Sequence, residues 1–168
     1  MEKDARSVLS LRACGLIHTE KDLPLPARLA YVYEQTAKVL ALYAPAQVAM
    51  EQNYFLKRAQ TMAHTVMARG VILLACEQAG KTVTFYEPKR VKLLITGSGA
   101  ADKKQVQRMV QLTLHLKEPP QPDDTADAVA IAICHLKTGA LASKLNVKTA
   151  FLEKLKAARQ AQLKKKSL

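Results

Sequence analysis

Three acidic residues stand where type and spacing could bind a hard cation. Glu51 closes a short apolar, strand-like run, QVAMEQ. In an open parallel sheet, the C-terminal edge of the strands is where ligands bind. Asp124 and Asp127 lie three apart at the start of a helix-forming stretch, DTADAVAIAICHLK. That spacing sends both side chains from one helix face. Three carboxylates on rigid elements supply the oxygen ligands that Mg²⁺ or Mn²⁺ requires. Two such ions about 4 Å apart activate water and stabilise the leaving oxygen of a phosphodiester. The plainer reading of the same residues is an Asp that complements the helix dipole and a strand-end Glu that is solvated.

Cations and aromatics lie near these acids in the sequence. Lys92 is on the helix that Pro88 opens. Lys103 follows the loop Gly97–Gly99 at a helix N-terminus, where backbone N–H groups and the dipole favour phosphate. The loop GSGAADKK is not a Walker A motif, because no Gly-Lys-Ser/Thr closes it. A solvated basic face is the plainer reading. Tyr54 and Phe55 follow Glu51 and precede Lys57 and Arg58. Exposed rings beside cations can stack on unpaired bases, and one of the two rings is expected to cover the core instead. His18, His64 and His115 have no ligand-spaced partner. His135 lies eight residues beyond Asp127, about two helical turns on, too far to share an ion with it, and all four histidines read as structural or solvated.

The elements that must position these groups follow from periodicity. Residues 7–18 are β-rich enough for one strand. Pro26 fits the first turn of a helix running to about Pro45, with Leu29, Val32, Tyr33, Thr36, Val39, Leu40 and Tyr43 at helical spacing. QVAMEQ (47–52) and TVTFY (82–86) read as short strands. Lys57 to Gln78, PKRVKLLIT and DKKQVQRMVQLTLH read as helices, and Asp123 or Asp124 can cap the next. The remainder reads as a basic helix with Leu145, Phe151, Leu152 and Leu155 as its apolar side. Strands alternating with helices imply an open α/β sheet with parallel pairs.

The chain of 168 residues carries a net charge of +12, with 49% hydrophobic and 5% aromatic residues. That apolar share excludes a disordered polyampholyte, and the charge points to a polyanionic partner. Nine of the Lys and Arg residues lie beyond Leu136, against the single acid Glu153. Cys14, Cys76 and Cys134 each sit in an apolar run, and they read as reduced, buried thiols of a cytosolic protein. No cysteine or histidine spacing fits zinc. No run has the length of a membrane span, and MEKDARS is not the start of a signal peptide.

The stretches ACGLIHT, LPARLAYVYE, VAMEQNYF, ARGVILLA, FYEPKRVKLLITGSGAADKKQVQRMV and PDDTADAVAIAICH occur in this order over residues 10 to 138. Together they resemble the RuvC family of Holliday-junction resolvases. The resemblance implies an RNase H-like three-layer fold and a cytoplasmic homodimer. It implies two Mg²⁺ or Mn²⁺ ions per active site and nicking of two opposed strands of a four-way DNA junction in recombination and repair. Branch-migration proteins of the RuvA and RuvB families are the implied partners. Glu51, Asp124 and Asp127 then match three of the family's four acidic metal ligands, and Lys92 and Lys103 its basic active-site residues. Tyr54 stands where the family has a Phe that contacts bases near the crossover. Phe55, Lys57, Arg58, Lys103 and Lys104 complete the expected DNA contacts.

The family opens with two strands, the first bearing an I-D-P-G motif whose Asp is the fourth acid. No D-P-G occurs in this sequence. Met1-Glu2-Lys3 resembles a continuation of the family's second strand, with Asp4 in the hairpin that follows. The expectation is an RNase H-like nuclease domain over 1–138 that lacks about two strands, and a basic helical tail over 139–168. The leading functional reading is a junction endonuclease. The alternative is a catalytically impaired, truncated copy that only binds junction DNA. A basic ribosome-associated protein would leave the strand-end Glu and the D-x-x-D pair unexplained.

Overall fold

A computed structural model describes residues 1–52 and 59–142. Strands β1 (Glu2–Lys3) and β2 (Leu9–Ser10) precede α1 (Leu25–Tyr43), β3 (Gln47–Glu51), α2 (Ala59–Gln78) and β4 (Thr82–Tyr86). Helices α3 (Pro88–Thr96), α4 (Lys103–Thr113) and α5 (Asp123–Ala142) follow. The chain divides into two units, Met1–His135 and Leu136–Leu168, and the architecture below is that of the first. The expected basic helix bearing Leu145 and Phe151 lies outside the described residues.

Local chemistry sets the element ends. Proline opens α1 and α3, where its missing N–H costs nothing. Gly97, at φ 81°, ends α3 in the left-handed conformation that glycine adopts freely, and its N–H donates to the Leu93 carbonyl. Asp102 caps α4 in a reciprocal capping box with Gln105. Asp123 and Asp124 are both inside the first turn of α5 rather than ahead of it, where their charge opposes the positive end of the dipole.

The parallel pair β3–β4 is the centre of the fold. Its register runs from Gln47 opposite Thr82 to Glu51 opposite Tyr86. Side chains alternate between faces, and the two faces meet different helices. Val48 and Val83 pack with Leu40, Ala75 and Cys76 of α1 and α2. Ala49 and Tyr86 pack with the larger cluster of Val91, Ile95, Val106, Val110, Val129, Ala130 and Ile133 from α3, α4 and α5. Helices therefore cover both faces of the pair, as its apolar strands require.

The N-terminal segment departs from the sequence reading. Of the strand expected over 7–18, only Leu9–Ser10 forms a ladder, antiparallel to Glu2–Lys3. Strand propensity yields a strand only where a neighbour supplies hydrogen bonds, and no described strand flanks β2 on its other side. The β1–β2 and β3–β4 sheets share no ladder. Asp4 is in the hairpin turn as expected, where its carboxylate accepts the Val8 N–H at 2.8 Å. Cys76 and Cys134 are buried, but Cys14 is exposed. Its apolar neighbours Leu16 and Ile17 are exposed as well, so local hydropathy there does not translate into core.

Candidate active site

Glu51 ends β3 on the face that carries Ala49, the face that meets α5. Its carboxyl has a pKa raised above the usual range. Loss of water around it is the main cause. The negative charges of Asp127 and Asp124 add to this, and the positive charge of Arg69 partly offsets it. The strand-end Glu and the helix-start Asp pair, more than 70 residues apart in sequence, are thus brought into electrostatic contact. α5 runs back along β3, so that its first turns lie at the strand's Glu51 end and His135 bonds Gln47 at the other.

The cations fall into two groups. Lys103, the first residue of α4, holds its ammonium 4.0 Å from Oδ1 of Asp124. Lys104, next to it, lines an open cavity with Thr96, Ser98, Asp102, Gln105 and Arg108. Lys92 is half-buried on α3. The third acid of the D-D-T-A-D run is committed elsewhere, since Oδ1 of Asp123 accepts from Gln107 Nε2 at 2.6 Å. Tyr54, Phe55, Lys57 and Arg58 lie outside the described residues.

Sequence reasoning missed Arg69. Its guanidinium lies 5.1 Å from the centre of the Phe85 ring, a cation–π arrangement, and its charge acts on Glu51. The available signal was a lone cation: between Arg58 and Lys81 no other Lys or Arg occurs.

The donor set has the chemistry of a hard divalent-cation site, with carboxylate oxygens and neither thiol nor imidazole among them. Mutual repulsion of three carboxylates is what a cation relieves. Among the described residues, however, no three His, Cys, Asp or Glu side chains stand close enough to hold an ion between them. Asp124 is turned to Lys103. The residues fit such an ion in kind, and the described side chains do not form a closed coordination sphere.

Comparison with known proteins agrees with this architecture. The family model for crossover junction endodeoxyribonuclease RuvC matches residues 1–135. Crossover junction endodeoxyribonuclease RuvC of Brevibacillus brevis is 46% identical over 129 residues, which is 77% of this chain and 78% of that protein. The Thermus thermophilus RuvC structure superposes with a TM-score of 0.75 at 30% identity, covering 84% of this chain and 85% of that one. T. thermophilus RuvC in complex with Holliday junction substrate superposes with a TM-score of 0.74 at 32% identity, covering 80% and 81%. The fold is RNase H-like, the architecture of a class of metal-dependent nucleases. The chain belongs to the RuvC family of crossover junction endodeoxyribonucleases, DNA-binding enzymes of recombination and repair. Among the described residues, no helix is long and apolar enough to cross a membrane.

Proposed function

We propose that this chain resolves Holliday junctions by metal-assisted phosphodiester hydrolysis, with Glu51, Asp124 and Asp127 holding Mg²⁺ or Mn²⁺. The observation that carries the reading is the RuvC family match over residues 1–135, with Glu51 at the end of β3 and Asp124 and Asp127 in the first turns of α5. Two ions per site are expected from the chemistry of phosphodiester cleavage. When bound, they supply water activation and neutralise charge developing on the phosphate. The chain's own residues do the remainder. Lys103 and Lys92 hold phosphate oxygens and offset negative charge in the transition state. Lys104, Tyr54, Phe55, Lys57 and Arg58 contact the DNA, the cations through phosphates and the rings by stacking on unpaired bases.

The proposed assembly is a cytoplasmic homodimer, so that two sites address two opposed strands. Apolar side chains exposed on α1 and α2, among them Tyr31, Val39, Leu42, Val66, Met67 and Leu74, support an interface there. Branch-migration proteins of the RuvA and RuvB families are the proposed partners.

A second reading, junction binding without efficient cutting, draws on one observation: the described carboxylates do not form a three-donor group. A gel assay on a synthetic four-way junction in Mg²⁺ separates the two. Paired, symmetric nicking that Glu51→Gln abolishes while junction binding is kept supports the resolvase. Binding without nicking supports the second reading. Nicking by Glu51→Gln at the wild-type rate overturns the site assignment.

A further inference from the structure

Nothing covalent fixes how far α5 slides along β3. Its buried residues, Ala126, Val129, Ala130, Ile133 and Cys134, include small side chains that interlock weakly, and apolar contact is non-directional. Directional bonds come from His135. This buried residue has Nε2 2.9 Å from Oε1 of Gln47, and Nδ1 2.9 Å from the Tyr86 hydroxyl. Because Oε1 only accepts, Nε2 carries the proton and Nδ1 accepts from Tyr86. The Tyr86 and His135 rings also meet edge to face at 87°.

The spacing along the two elements matches. Gln47 and Glu51 are the first and last residues of β3 and share its α5-facing side. Four residues of strand span about 13 Å. Asp127 and His135 are eight residues apart on α5, about 12 Å. One end of this pairing is the His135–Gln47 bond, and the other is Asp127 acting on Glu51. Tyr86, opposite Glu51 in the β3–β4 register, ties the second strand into the same chain of hydrogen bonds.

We propose that His135 is a positioning residue of the active site. By bonding Gln47 and Tyr86 it sets the register of α5 on β3 and β4, and with it the placement of Asp124 and Asp127 against Glu51. The inference rests on the reading of these carboxylates as the cation site.

The test compares His135→Phe, His135→Gln, Gln47→Leu and Glu51→Gln with wild type. Mn²⁺ binding is measured by calorimetry with the metal alone, junction binding in EDTA, and kcat and KM on a four-way junction. A slipped register weakens Mn²⁺ binding about tenfold and lowers kcat by about 10²-fold in His135→Phe and Gln47→Leu. KM and junction binding in EDTA stay at wild type. His135→Gln can still accept from Tyr86 and donate to Gln47, and it recovers most of both losses. Wild-type Mn²⁺ affinity in Gln47→Leu, or in a folded His135→Phe, overturns the proposal. Should His135→Phe not fold, Gln47→Leu alone decides, because it leaves the buried ring in place. Glu51→Gln separates the two readings. If it binds Mn²⁺ as wild type does, the carboxylate reading fails and this proposal with it. If it loses Mn²⁺ while the register variants keep it, only the register proposal fails.

Discussion

The ammonium of Lys103 stands 4.0 Å from Oδ1 of Asp124, joining the first residue of α4 to the first turn of α5. Both side chains are largely exposed, at 61% and 81%. An ion pair so open to water contributes about 0–1 kcal/mol. Its position matters more for charge at the candidate site. Lys103→Met should therefore change urea-unfolding stability by less than about 1 kcal/mol and lower the junction-cleavage rate by about 10²-fold. An unchanged rate would show that Lys103 serves only as a partner of Asp124.

Glu51 is held in a setting that opposes its charge, through lost hydration and then through Asp127 and Asp124. Removing the charge removes the repulsion. Glu51→Gln should melt at a higher temperature than wild type in EDTA at neutral pH. Mn²⁺ should raise the melting temperature of wild type and leave that of the variant nearly unchanged. A variant that melts lower in EDTA, or gains as much from Mn²⁺, contradicts the assigned role.

Burial lowers the pKa of His135 from 6.5. The unfolded chain then takes up a proton near pH 6.5, while the folded chain resists until lower pH. The stability this group contributes is complete above pH 6.5 and is lost as pH falls through the folded value. Urea titrations from about pH 7.5 down to about pH 5.5 should show a steeper decline for wild type than for His135→Gln. Parallel profiles would mean that His135 titrates as freely in the folded chain as in the unfolded one.

Thr125 is only 3% exposed, and its Oγ1 has no hydrogen-bond partner among the described residues. An unpaired buried hydroxyl costs about 1–3 kcal/mol. Thr125→Val keeps the shape and removes that cost, so it should stabilise the chain by about 1 kcal/mol in urea unfolding. A loss of stability would show that the hydroxyl is paired.

Residues 143–168 carry eight Lys or Arg against the single acid Glu153. Cations that bind phosphates release counterions, so log K falls with log salt. Deleting this segment should flatten that slope for junction DNA. An identical slope would mean that the segment stays off the DNA.

Periodicity and turn chemistry were sufficient to locate β3, β4 and the five described helices. Those elements are bounded by local devices: Pro26 and Pro88, the Gly97 turn and the Asp102–Gln105 box. The residues of the candidate site stood out in the sequence by type, because a strand-end Glu and a D-x-x-D pair are unusual in so basic a chain. Three things depended on distant parts of the chain. Whether residues 7–18 form a strand depended on which strands lie beside them, and only Leu9 and Ser10 gained a ladder. Arg69 acts on Glu51 because α2 packs its cation over Phe85 of β4, the strand paired with β3. His135 read as either structural or solvated, and its burial and its partners were set by α5 running back along β3. That packing brings a helix residue to Gln47, 88 positions away in sequence. Sequence spacing encodes which face a side chain leaves from, while the distance between two faces is decided by packing.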